Sequence, residues 1–210
     1  MIYYANPSSL DIYDAMLAGL LGCITTPAQG NVTFPAEIDT VADNGCFSQQ
    51  WNESRWWQWL LDQPRTIRFA VCPDQYNPDG GECHQATIER WHRFALRMRI
   101  AGFTPAFVCQ VGATAETVPP DAEVLFLGGT TEWKLGPDAW GIARRWRGDR
   151  WIHMGRVNSE RRMRVALAMG CDSCDGTYLT RGPNKNLERL LRFLSNAAKK
   201  PLEPMLWEAS

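Results

Sequence analysis

The stretch WIHMGRVNSERRMRVALAMGCDSCDGTYLTR, residues Trp151–Arg181, decides the fold. It reads as a strand, a helix, a second strand, and an acidic residue where that strand ends. Asn158–Met169 puts Met163, Ala166 and Leu167 on one face and Arg161, Arg162 and Arg164 around the rest, the pattern of a helix with one apolar side. Gly170 stops that helix, because glycine enters the left-handed region without steric penalty. Cys171–Tyr178 is short and apolar except for Asp172 and Asp175. In a parallel barrel, carboxylates at the carboxyl ends of strands sit on the face where chemistry happens. The segment therefore nominates an acidic active site.

Outward from it, short apolar runs alternate with amphipathic stretches. Expected strands are Ile2–Ala5, Cys23–Thr26, Glu37–Ala42, Thr66–Cys72, Ala106–Gln110, Glu123–Leu127, Trp151–Met154 and Asp172–Thr177. Expected helices are Leu10–Leu21, Glu53–Leu61, Glu82–Ala101, Pro137–Trp146, Asn158–Met169 and Asn184–Ala197. Such alternation predicts an α/β fold with a parallel sheet and helical crossovers, and eight strands close a compact (β/α)₈ barrel. At 210 residues the chain is near the lower size limit of that fold. Residues 1–198 are expected to form one domain and 199–210, with two prolines, a surface tail. Residues 25–36 read as loop.

Ten tryptophans and 45% hydrophobic residues supply ample apolar area for one core. No apolar run approaches the roughly 18 residues a membrane span needs, and the N-terminus lacks the basic start and apolar core of a signal peptide. Seven scattered cysteines, an odd number, suit a reducing cytoplasm. Net charge is −1, but it is unevenly spread: residues 141–210 carry 14 basic and 7 acidic side chains, and residues 1–140 carry 8 and 16. A basic C-terminal third on an acidic body is a plausible polyanion footprint, and equally a set of solvated helix faces.

Polar groups recur at the expected strand ends: Asp43-Asn44-Gly45-Cys46-Phe47, Pro73-Asp74-Gln75, Gln110-Val111-Gly112, Gly128-Gly129-Thr130-Thr131-Glu132, and Asp175. Any one aspartate after a strand is more simply a helix N-cap. Five such segments at successive ends ring one mouth. Carboxylates there can serve as nucleophile and general base at a sugar carbon, and an amide with bare Gly-Gly backbone can read a purine-like edge. Cys171-x-x-Cys174 reads as inward-facing strand cysteines rather than half a metal site, and Cys83-His84 has no second pair. His153 either contacts a leaving base or packs at the strand end. Trp57 either stacks on a base or rests on the surface.

The ordered set resembles the tRNA-guanine transglycosylases. Asp43-Asn44-Gly45-Cys46-Phe47-Ser48 resembles their D-S-G-G-[FY]-Q, Pro73-Asp74 their F-D-E, and Val108–Gly112 their strand ending in G-x-Q-G-G. Leu127–Glu132 is similar to G-G-L-A-V-G-E but two residues shorter, Ile152–Val157 to Y-L-M-G-V-G, and Gly170–Gly176 with Thr180-Arg181 to G-x-D-x-F-D-C and its following T-R. The resemblance implies that Asp175 attacks C1′ of a guanosine and that Asp43 is the second catalytic carboxylate. It implies that Asp74, Gln110 and the backbone at Gly128 and Gly129 hold the heterocycle, and that Phe47 and Met154 sandwich it. Arg181 and Lys185, just after Asp175 in the chain, either hold flanking phosphates or lie on a solvated loop.

The family's zinc site, C-x-C-x-x-C with a later histidine, should follow Arg181, yet no cysteine or histidine occurs after Cys174. A barrel without the zinc module resembles the phage and bacterial relatives that place 7-deazaguanines into DNA. The implied partners are DNA, with tRNA as the alternative, and a 7-deazaguanine co-substrate such as preQ0, with no metal or redox cofactor. A hydrolase using the same carboxylates on water, and a non-catalytic nucleic-acid-binding barrel, are the competing expectations.

Overall fold

The computed structural model describes residues 1–29, 34–48, 50–77, 79–180 and 182–199. Among them, eight parallel strands close into one barrel: β1 (Ile2–Ala5), β2 (Gly22–Thr25), β3 (Thr40–Ala42), β4 (Ala70–Val71), β5 (Pro105–Cys109), β6 (Val124–Leu127), β7 (Trp151–Met154) and β8 (Ser173–Asp175). Each pairs with the next, and β8 returns to β1 through Ile2↔Ser173, Tyr3↔Cys174 and Tyr4↔Asp175. Around it lie α1 (Leu10–Leu17), α2 (Glu53–Leu61), α3 (His84–Ile100), α4 (Thr131–Leu135), α5 (Pro137–Trp146), α6 (Glu160–Met169) and α7 (Pro183–Lys199). The expected (β/α)₈ barrel is therefore the fold. Among the described residues no cluster of three or more His, Cys, Asp or Glu could hold a metal, and no helix is long and apolar enough to cross a membrane. Arg181 and residues 200–210 lie outside the described residues.

Local chemistry explains the boundaries. Ser159 caps α6 by accepting from Arg162 N–H, and Gly170 ends it at φ 79°. Ser9 and Asn52 cap α1 and α2 in the same way. α1 stops at Leu17 rather than Leu21 because the chain turns at Gly19, φ 69°. β3 and β4 are shorter than expected. One helix, α4, is not among the expected elements: Thr130 caps it by accepting from Trp133 N–H.

Side chains alternate along each strand, so residues two apart share a face. Tyr4, Ile24, Val41, Phe69, Ala106 and Val124 form one apolar cluster, which fills the barrel. The alternate set, including Tyr3, Phe107, Leu125, Ile152, Met154 and Cys174, joins the larger cluster with helix residues such as Met16, Trp91, Phe94 and Met163. Carrying the inward parity to the strand ends puts Asp43, Gln110, Gly128 and Gly155 one residue past β3, β5, β6 and β7, in line with Val41, Val108, Phe126 and His153, and puts Asp175 at the last position of β8, in line with Ser173. These five line the C-terminal mouth.

Candidate active site

Asp175 ends β8 with its side chain 16% exposed, and His153 Nε2 lies 2.9 Å from Asp175 Oδ1. The other ring nitrogen, Nδ1, is 2.8 Å from Ser173 Oγ, which in turn accepts the indole N–H of Trp151 at 2.8 Å. A carboxylate can only accept, so Nε2 must carry the proton; Nδ1 then accepts from the Ser173 hydroxyl. The result is a chain of donors running from Trp151 through Ser173 and His153 to one oxygen of Asp175. His153 is fully buried, stacked on Phe126 at 4.7 Å and flanked by Tyr4 and Phe69. Its ring is therefore fixed, and with it the orientation of Asp175.

Asp43 is half-buried and accepts from Gly45 N–H at 3.3 Å. Burial pushes its carboxyl up to about 7, and the fields of Asp175 and Asp74 push the same way. That influence requires the two carboxyl groups, distant in sequence, to lie near one another, held there by the barrel against their repulsion. Asp74 is buried and likewise raised by desolvation, against the pull of Asn44, whose Nδ2–H donates to it at 2.8 Å. Asn44 also donates to the Cys72 carbonyl at 2.8 Å, so the Asp43–Cys46 turn is stitched to the end of β4.

Gln110 is buried at the end of β5, its Nε2–H donating to the Gln75 carbonyl at 2.9 Å and to Thr87 Oγ1 at 2.5 Å. Phe47 is 53% exposed and sits 4.7 Å from the Tyr76 ring. Gly128 and Gly129 close the β6 end, and a Cβ on Gly129 would strike Trp133 at 2.5 Å. A cavity of about 190 Å³ opens here, lined by Tyr76, Gln110, Gly129, Thr130 and Arg156 among others.

Met154 does not join this group. It is 1% exposed and belongs to the cluster between barrel and helices, because the position next to inward-facing His153 must point outward. The expected sandwich of a base between Phe47 and Met154 is corrected on that ground. Lys185 is exposed in the first turn of α7 and Glu132 is exposed on α4. Trp57 is half-buried, with Arg97 3.8 Å above its ring. Cys174 faces outward and is fully buried, and burial raises its thiol.

Two residues that the sequence reading does not select stand in the site. Lys134, on the unexpected α4, is buried and donates to the Gly155 carbonyl at 2.5 Å. Desolvation brings its amine down to about 7, helped by Arg156 and opposed by Asp175. Arg156 reaches across the mouth from β7. Neither stands out in the sequence: Lys134 lies in what reads as loop, and Arg156 is one of many basic residues in the C-terminal third.

No protein-family model and no curated protein matches the chain. Solved structures do. Tryptophan synthase from M. tuberculosis matches at a TM-score of 0.54 with 11% identity, over 96% of this chain and 93% of that one. Phosphoribosyl anthranilate isomerase from Thermus thermophilus matches at 0.53 with 13% identity, over 93% and 99%. The 3-hexulose-6-phosphate synthase from Salmonella typhimurium matches at 0.50 with 12% identity, over 93% and 98%. At such identities the likeness shows the barrel and nothing finer.

Proposed function

We propose that this barrel is a guanine transglycosylase acting on DNA, exchanging a guanine for a 7-deazaguanine. Asp175 attacks C1′ of the 2′-deoxyribose, the C1′–N9 bond breaks with its electrons on guanine N9, and an aspartyl ester to the sugar remains. Asp43, protonated, gives its proton to the departing guanine. As a carboxylate it then takes the N9 proton of the incoming 7-deazaguanine, whose N9 displaces Asp175 and restores the configuration. A carboxyl near 7 suits both tasks at neutral pH. His153 holds one Asp175 oxygen so that the other is free to attack. Asp74, Gln110 and the Gly128-Gly129 backbone offer polar groups to the heterocycle, whose developing negative charge is eased by hydrogen bonds. The target nucleotide must leave the stack to reach the mouth, with Lys185 and Arg181 as phosphate contacts.

The single observation that supports this reading is the pairing at one mouth of two carboxyl groups in different environments, one desolvated and one tied to a buried imidazole. The experiment is incubation with guanine-containing DNA and preQ0, followed by nucleoside mass spectrometry. Deazaguanine in DNA is the expected result. Incorporation into tRNA alone would move the substrate to RNA; base release without incorporation would make the enzyme a hydrolase.

A further inference from the structure

Arg156 is, among the described residues, the one non-glycine in the left-handed region, at φ 57°. That conformation is unfavourable for a side chain with a Cβ and persists only where surrounding contacts impose it. Those contacts are specific. The guanidinium lies 4.5 Å from the centre of the Phe47 ring. Its Nη2–H groups donate to the carbonyl of Gly128 at 3.3 Å and, at closer range, to that of Gly129. The same guanidinium lines the mouth cavity beside Gln110. An aromatic face and two convergent carbonyl oxygens thus grip one planar amino end of a flat cation.

A 2-amino-6-oxopurine carries the same kind of group: its 2-amino nitrogen is the planar amino end of a cyclic guanidine, with two hydrogens to give. The ring and the two carbonyls that hold the arginine offer such an amino group the same contacts. We propose that Arg156 is a resident occupant of the base slot and a gate to it, displaced when a guanine or 7-deazaguanine enters; this rests on the transglycosylase reading above. Displacement lets the backbone leave φ 57° and puts a free cation at the mouth. Discrimination follows from the same contacts, because only a base carrying a 2-amino group replaces both donations to Gly128 and Gly129.

The test compares wild type, Arg156→Ala and Arg156→Lys by calorimetric titration with 7-deazaguanine and 7-deazahypoxanthine, and by thermal shift with methylguanidinium. If the gate is open about a tenth of the time, removing it tightens 7-deazaguanine binding about tenfold. The expected result is that gain in both variants, 7-deazahypoxanthine binding more weakly than 7-deazaguanine to all three proteins, and methylguanidinium stabilising Arg156→Ala but not wild type. Lysine keeps the charge and lacks the planar fork, so a gain in alanine alone would assign the effect to charge and overturn the gate. Equal affinity in all three proteins, with wild-type exchange intact, overturns the gate and leaves the transglycosylase reading standing. No purine binding by any of them and no wild-type exchange overturns both, and methylguanidinium binding to Arg156→Ala then marks the slot as one for another donor group. Should the alanine variant not fold, the lysine variant carries the comparison alone, and an affinity equal to wild type there counts against the gate.

Discussion

At the N-terminal end of the barrel a cleft of about 890 Å³ is walled by Arg99, Asp121, Arg150, Trp151 and Asp172 among others; at the C-terminal end the cavity holds about 190 Å³. The larger one is chemically quiet. Asp121 is answered by Arg99 at 2.9 Å and by the Trp91 indole at 3.0 Å, Arg150 donates to the Pro119 and Pro120 carbonyls, and Asp172 accepts from Ile152 N–H. Each of these four charges has a partner and a share of solvent. The smaller end gathers a desolvated aspartate, a buried lysine brought down to about 7, a buried imidazole and a strained arginine. Perturbed protonation, rather than volume, marks the end where a barrel does chemistry.

The strongest test of that contrast is Asp175→Asn. Removing the proposed nucleophile should lower the proposed base exchange by about 10⁴-fold or more, read by nucleoside mass spectrometry, with the barrel intact by circular dichroism. Normal exchange in that variant would break the contrast outright. Asp43→Asn should cost about 10²–10⁴-fold, the usual range for a general acid/base. In wild type, use of the incoming base should rise with pH through about 7 as Asp43 ionises, and the variant should lose that limb.

Stability gives an independent reading of the same group. Unfolded, Asp43 releases its proton near 3.8; folded, near 7. The folded state therefore holds the proton more tightly between those values, and the contribution favouring the fold is present below 3.8 and lost as pH rises through 7. Asp43→Asn should accordingly raise Tm at pH 8, by about 2–4 °C for each kcal/mol recovered in a chain of this size, and leave it little changed at pH 3. A Tm gain at both pH values alike would mean that Asp43 is not desolvated.

Adjacent residues on β7 sharpen the comparison between inside and outside. His153→Phe should reduce exchange about 10–100-fold, the scale seen when a group orienting an active ligand is removed, by freeing Asp175 to rotate. Met154→Ala should instead destabilise by about 2–5 kcal/mol, as deletion of a buried side chain does, while the folded fraction retains its turnover. The reverse outcome would return Met154 to the mouth. The smallest effect is expected at the opposite end: Arg99→Ala, breaking a partly exposed pair, should cost about 1 kcal/mol or less and leave exchange unaltered.

The alternation that separates His153 from Met154 is legible in the amino-acid sequence alone. Val41 and Asp43, Val108 and Gln110, Ser173 and Asp175 are pairs two apart, and strand periodicity aims each pair the same way. Applied to β7, the same rule turns Met154 outward; family likeness points it inward in spite of parity. The fold is legible because β7, α6 and β8 carry clean periodicity, a serine cap and a glycine stop. The ends of β3 and β4 are not, since they are set by pairing with neighbours and not by composition: only Ala42↔Ala70 joins them in register. Lys134 is hidden for a different reason. Its burial depends on a five-residue helix whose capping threonine sits in what reads as loop, and a lysine in loop reads as solvated. Arg156 shows nothing unusual in sequence, because its interest lies in a backbone angle and in two carbonyls nearly thirty residues earlier.

Trp151 belongs to both ends. Its half-buried ring borders the N-terminal cleft, with Arg68 4.5 Å above it, while its N–H begins the relay that finishes on Asp175. Esterification of Asp175 would withdraw the negative charge on which that relay ends, and each link would weaken in turn. The indole proton is thus a built-in gauge whose NMR resonance should move when a sugar is attached at the far side of the barrel, without any label placed near the reacting atoms.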